Sequence, residues 1–121
     1  MLRDGISFGA HTQTHPALTE VSADRARNEI ENSRVDLERE LGLPITLFSY
    51  PHGKYNDTAR ASVEQAGFWG ACSTRAGLNS AVTPDFELRR TEVRGTDSLV
   101  RFILALWWGD DRLPPRRRRS K

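Results

Sequence analysis

The sequence predicts an α/β fold built on a mainly parallel sheet. Strand-like and helical stretches alternate along the chain, in the order strand, helix, strand, helix, strand, strand, helix. The longest helical stretch is amphipathic with the 3.6-residue period of a helix that covers a sheet. The two most distinctive loops, residues 11–16 and 50–53, each follow directly on a strand-like stretch. In a parallel sheet both then lie at the C-terminal edge, where such folds carry their functional loops.

The elements follow in order. Residues 1–4 are too few for an element, and Gly5 suits a helix C-terminus, so the chain reads as opening on the last turn of a helix. Residues 6–10 alternate apolar and small side chains, which predicts a short strand, and Pro16 ends the loop behind it. Ser22 is an N-cap for a helix over residues 23–41. Its inner stripe is Ala26, Ile30, Ser33, Leu37 and Leu41, with charged residues opposite. Gly42 closes that helix and Pro44 prevents its resumption. Residues 45–50 are β-branched and aromatic, the composition of a buried strand. Asn56 caps a second helix through Ala66, stopped by Gly67. Residues 68–73 and 88–92 are further strands around a loop at 75–84, and Thr96 or Asp97 caps a last helix through Trp107. That helix is apolar on most faces, so Trp107 and Trp108 are expected to pack against other structure.

With 121 residues the chain is at most one domain with a modest core. Its net charge of +2 conceals an asymmetry. Residues 112–121 hold six of the 18 basic residues and none of the 16 acidic ones, so the rest is net acidic. Such a run reads as a solvated, disordered end with at most weak attraction for nucleic acid or anionic lipid. No specific nucleic-acid partner is expected. Cys72 is alone, which rules out an intrachain disulfide and suggests a buried, inert thiol. The apolar run 99–108 has about half the length that spans a bilayer, and no leader-like segment opens the chain.

Chemistry concentrates in Gly9-Ala10-His11-Thr12-Gln13-Thr14-His15-Pro16, which holds two of the three histidines. His11 and His15 are spaced so that two imidazoles can share one divalent metal, since neutral nitrogen donors suit zinc and its neighbours. Thr12 and Thr14 can fix the loop through side-chain hydrogen bonds. The competing reading is a pair of hydrogen-bonded loop histidines, and spacing alone leaves both open. A catalytic metal site also needs a third protein ligand, and none is evident nearby.

This stretch resembles the second motif of the polysaccharide deacetylase family, carbohydrate esterase family 4, a His-Ser/Thr-x-x-His pattern whose histidines bind metal. Phe48-Ser49-Tyr50-Pro51-His52-Gly53 is similar to the third motif, a loop ending Pro-x-Gly that walls the substrate groove. The Glu-Ile, Leu-Glu and Leu-Gly pairs of the helix between them, and Ala66-Gly67-Phe68 after them, also fit the family pattern. The resemblance runs from about Asp4 to Gly109. It implies a distorted (β/α) barrel, present here as its C-terminal part over residues 1–110, followed by the basic tail 111–121. The implied reaction is metal-dependent removal of acetyl groups from a glycan. His11 and His15 would hold a divalent metal such as zinc, with Thr12 bracing the loop. The Tyr50 N–H would face the oxyanion, and Tyr50, Pro51, His52 and Gly53 would line the groove, with a stacking role for His52. Trp69 is a candidate sugar-stacking residue.

The chain departs from the family in three places. The paired aspartates of the first motif, which supply a general base and a third metal ligand, would stand upstream of the histidines and are not found. The arginine that opens the third motif is replaced around Ser49, as in some bacterial exopolysaccharide members. The late Leu-x-x-His motif is replaced by Glu87-Leu88-Arg89-Arg90, where Arg89 or Arg90 can stabilise charge but not donate a proton at neutral pH. The expectation is therefore the C-terminal part of a deacetylase, inactive alone and completed by a missing N-terminal half or another subunit. Two alternatives stay open: a binding remnant that holds metal or glycan without turnover, and an interaction protein that acts through its basic tail.

Overall fold

The computed structural model describes residues 5–109. The expectations for residues 1–4, for the boundary at 110 and for the basic tail lie outside these residues, as does the side chain of Trp108.

The first helix, α1 (Ala23–Leu41), starts and stops at the residues its sequence marks. The Ser22 side chain accepts from the Arg25 N–H, and Gly42 takes the left-handed conformation that lets its own N–H bond back to Glu38. A three-residue strand follows, β1 (Leu47–Ser49), then a single 3-10 turn over Pro51–Gly53. The second helix, α2 (Asp57–Gln65), is capped by Asn56, whose side chain accepts from Ala59 N–H at 2.8 Å. The second strand, β2 (Gly70–Cys72), runs parallel to β1, with Phe48 opposite Ala71 and Ser49 opposite Cys72.

The sheet extends beyond these two strands, but only by single residues. Ala10 bridges Phe48 on one side and Leu88 bridges Cys72 on the other, both in parallel. The order across the sheet is thus Ala10, β1, β2, Leu88, an open parallel arc. The strand expected over residues 6–10 is reduced to Ala10, which donates to Leu47 O and accepts from Ser49 N, each at 2.9 Å. Ile6 and Ser7 are exposed. The strand expected over 88–92 is likewise reduced to the Leu88 bridge; beyond it the Arg90 N–H donates to Arg75 O at 2.9 Å and the Arg89 N–H, on the other edge, to the Asn79 side chain.

Strand alternation sorts the two faces of the arc. Phe48 and Ala71 point to the helices and are buried with Ile30, Ile45, Val63 and Phe68. Leu47 and Ser49 point the other way, and Leu47 is half exposed. Small residues let the layers close: a Cβ on Gly9 would press on the Leu47 carbonyl at 3.1 Å. Arg34 of α1 ties the layer together. Its guanidinium stacks 5.5 Å from the Phe68 ring centroid, donates to the Ala66 carbonyl beyond α2, and pairs with Glu38. Glu38 in turn accepts from the Ile45 N–H, which fixes where the chain approaches β1.

The last helix, α3 (Leu99–Trp108), departs from expectation twice. Its N-cap is Ser98, which accepts from Arg101 N–H, while Asp97 closes a preceding turn by accepting from Arg94 N–H. Nor does α3 pack as its apolar sequence suggests. Leu106 is 61 % and Trp107 73 % exposed, and among its described side chains Ala105 is the buried one. No helix among the described residues is long and apolar enough to cross a membrane. Cys72 is half-buried at the end of β2, rather than enclosed.

Core packing gives a direct expectation for stability. Phe48→Ala should cost about 3–5 kcal/mol and Ile30→Val about 1 kcal/mol in urea unfolding, because Phe48 and Ile30 are fully buried. Equal effects of the two changes would contradict this placement of the core.

Candidate active site

The histidine loop hangs off the end of the Ala10 pairing and lies against α1. Its anchor is Glu29, which is 6 % exposed and sits on the buried side of α1 beside Ile30. One Glu29 oxygen, Oε2, accepts from the backbone N–H groups of Gln13 at 2.8 Å and Thr14 at 2.9 Å. The other, Oε1, accepts from the Thr14 hydroxyl at 2.5 Å. Burial would raise the Glu29 pKa, but the Thr14 hydroxyl, the two N–H donors and the charge of Arg25 outweigh it and hold the carboxyl below the usual range. Two helical turns further on, Asp36 accepts from the Gln13 side chain at 2.8 Å. Thr12 spans the loop itself, donating to His11 O at 2.5 Å and accepting from the His15 N–H at 3.1 Å.

This bracing holds unusual backbone. Thr12, His15 and His52 all adopt positive φ, at 67°, 62° and 57°. Such angles are uncommon for residues with a Cβ and persist where the surroundings over-determine them.

The result is that all three histidines meet. The His11 and His15 ring centroids are 4.7 Å apart, and those of His15 and His52 are 4.6 Å apart, both edge-on. His11 Nδ1–H donates to the Ser49 carbonyl at 2.7 Å. A carbonyl can only accept, so Nδ1 carries a proton, and in the neutral imidazole this leaves the lone pair of Nε2 for a ligand. This is the arrangement by which a metal-binding histidine is oriented. The residues present therefore fit two nitrogen donors for a metal. They do not supply a full set: no group of three His, Cys, Asp or Glu among the described residues is placed to hold one.

The second loop presents different faces. Tyr50 is fully buried; its hydroxyl donates to Phe86 O at 2.8 Å and its ring stacks on Tyr55. Burial pushes its phenol well above the usual range. Its N–H, to which the resemblance gives an oxyanion role, donates to Cys72 O at 3.1 Å as part of the sheet. Pro51 is also buried. His52 is exposed, and its N–H alone within the loop has no partner among the described residues. Gly53, at φ +65°, is required by its neighbour, since a Cβ there would overlap the Thr74 side chain. Lys54 and Glu20, paired at 3.3 Å, link the segments that follow the two loops across the surface.

Arg90 joins this cluster from the far side of the arc, donating to Ser49 Oγ at 3.1 Å. Arg89 does not: its guanidinium donates to Ala76 O beside a separate cleft that Arg75, Tyr55 and Glu87 also line. Trp69 is 74 % exposed at the opposite end of β2, away from the histidines. Of these residues, sequence reading overlooks Glu29. A signal was available, because a carboxylate three residues after Ala26 and four before Ser33 lies on the buried stripe and must have partners.

The sequence model of the polysaccharide deacetylase family matches residues 1–71, more than half of the chain. The chain belongs to the polysaccharide deacetylase family. Among relatives, it is 27 % identical over 93 residues to the polysaccharide deacetylase YxkH of Bacillus subtilis, covering 77 % of this chain and 33 % of that one. It is 33 % identical over 64 residues to the peptidoglycan-N-acetylmuramic acid deacetylase PdaC of the same organism, covering 53 % and 14 %. Among solved structures, the Streptococcus pyogenes deacetylase PplD in complex with acetate superposes with a TM-score of 0.68 at 31 % identity, over 69 % of this chain and 37 % of PplD. The chain thus spans about a third of the length of YxkH and PplD.

Two expectations follow for this deacetylase-family loop. Glu29→Gln should lower stability by about 1–3 kcal/mol at neutral pH, the cost of unmatched buried donors. Because the folded carboxyl titrates below its unfolded value, its contribution is present above about pH 4.3 and is lost as pH falls below that. Urea midpoints of wild type and Glu29→Gln should therefore converge between about pH 5 and pH 3; a constant gap would contradict the assignment. Gly53→Ala should cost about 1–3 kcal/mol through its left-handed backbone and the Thr74 overlap, read as a lowered melting temperature.

Proposed function

We propose that this chain carries the metal-binding and oxyanion-binding part of a deacetylase that removes acetyl groups from a glycan. The observation that carries the reading is the His11 ring, locked by Ser49 O with Nε2 free and set 4.7 Å from His15. His11 and His15 would hold a divalent metal, with zinc best suited to paired imidazoles. Such a metal, when bound, polarises the acetyl carbonyl and lowers the pKa of the attacking water.

The remaining steps belong to the protein. Attack on the acetyl carbon turns its carbonyl oxygen into an oxyanion, and the partnerless His52 N–H is the donor of this loop that can receive it. That role passes from Tyr50, whose N–H is held in the sheet, to His52. The exposed His52 ring and the half-buried Gly53 border the place where the sugar would lie, while Tyr50 and Pro51 support them from beneath. The family resemblance assigns a general base and a third metal ligand to paired aspartates upstream of the histidines, and no three-ligand group stands among the described residues. On this reading the 121 residues do not turn over substrate unaided. The full barrel, with its sheet continued past Ala10 and past Leu88, is the proposed context. The glycan is of a bacterial wall or exopolysaccharide kind, in keeping with PdaC among the relatives.

Calorimetry with zinc on metal-free chain is the test. Wild type should bind more weakly than a three-ligand site, and His11→Ala or His15→Ala should each lose about tenfold or more. Zinc binding that survives both substitutions would refute the metal assignment.

A further inference from the structure

We propose that α3, together with the basic run that follows it, forms a docking surface for an anionic lipid bilayer. Neither the histidine site nor the deacetylase reading enters into it. An ordinary surface helix turns its apolar stripe inward and its charges outward, and α3 does the reverse. Leu99, Val100, Phe102, Ile103, Leu106 and Trp107 are each between 40 % and 73 % exposed. At 3.6 residues per turn they share one arc of about 160°. The buried Ala105 lies outside that arc, and so does Arg101, the one charged residue of the helix.

The fold holds this face outward. Gly109, in the left-handed conformation, closes α3 and lies so near Gly77 that a Cβ on it would overlap the Gly77 backbone. The Thr91 hydroxyl donates to the Gly109 carbonyl. Both ties grip the helix at its C-terminal end and leave the six apolar side chains largely uncovered. A continuous apolar face of this kind marks an interaction site.

The charge beside it indicates what covers it. Residues 110–121 hold six basic against two acidic residues, a net charge of +4, and both acids come first, at Asp110 and Asp111. The eight residues from Trp108 to Arg116 span at most about 28 Å, so the cations stay within reach of whatever the helix lies on. A bilayer of anionic lipid matches both features at once, as an apolar layer edged by negative headgroups. Trp107 suits that boundary, because an indole is apolar with one polar N–H. The ten residues of α3 rise about 15 Å, about half the hydrocarbon thickness, so the helix lies along the interface and does not cross it. A short apolar face or a basic run gives only marginal attachment by itself, and here the two adjoin.

Sedimentation of the full chain with lipid vesicles tests this. The chain should pellet with vesicles of equal parts phosphatidylglycerol and phosphatidylcholine, and stay in solution with phosphatidylcholine alone. Salt at 1 M, where the screening length is about 3 Å, should weaken the binding. Replacing Arg116, Arg117, Arg118 and Arg119 together by Gln should weaken it by about a hundredfold or more, at about fivefold for each cation. Ile103→Gln with Trp107→Gln should weaken it by about tenfold or more. Both side chains are exposed and glutamine favours helix, so the urea midpoint of that variant should match wild type. The tail variant changes no residue of α3 and reads the charge requirement independently. Equal binding to both kinds of vesicle, or affinity within twofold of wild type in either variant, overturns the proposal. So does a chain that stays in solution with every vesicle. If that chain is a dimer which Ile103→Gln with Trp107→Gln separates, the face belongs to a second copy instead.

Discussion

The site depends on one carboxylate. Glu29 is buried under the histidine loop and accepts from three of its donors, the Gln13 and Thr14 N–H groups and the Thr14 hydroxyl. The loop it holds has no regular structure of its own, and Pro16 prevents it from borrowing any. Without a fixed acceptor, the left-handed Thr12 and His15 would relax and the two imidazoles would part. Glu29 lies two turns from Asp36, which takes the Gln13 side chain, so α1 serves as a rail for the loop as well as a lid for the sheet. A buried acid is costly unless fully hydrogen-bonded, and here both oxygens are engaged.

The parallel arc does the rest of the positioning. Alternation gives Phe48 and Ala71 to the helix side, where the core forms, and leaves Ser49 on the opposite face. Because the strands share a direction, their C-terminal ends deliver His11, His52 and Arg90 to one rim from three separate stretches of sequence. Ser49 is the hub of that rim, with its carbonyl on an imidazole and its hydroxyl on a guanidinium. Tyr50, next along, faces into the core, and its stack with Tyr55 and bond to Phe86 O make a firm floor.

Much of this was legible in the sequence where local chemistry decides the outcome. Ser22, Gly42 and Asn56 mark helix ends because capping is a contest between neighbouring groups. The strands were harder. Residues 6–10 and 88–92 have strand-like composition, yet among them only Ala10 and Leu88 form sheet bridges, since pairing depends on what lies beside them in space. The cap of α3 fell to Ser98 because Asp97 was already used by the Arg94 turn, a competition that composition does not reveal. At the site, the histidine pair stands out by spacing. Its support from Glu29 and the approach of Arg90 are long-range contacts, visible only once α1 and the sheet are in place. The division of labour between the Tyr50 and His52 N–H groups likewise follows from the ladder, in which Cys72 O claims the first.

The three left-handed residues set a limit on how such a loop can change over time. At Thr12, His15 and His52 the backbone would be more comfortable as glycine, so selection for robustness alone favours losing those side chains. Their retention would then be a record of use. In a lineage released from its reaction, these positions should be the first to drift, before the caps of α1 or the packing around Phe48. A family member that keeps its core but has glycine there would be one that has kept the shape and given up the chemistry.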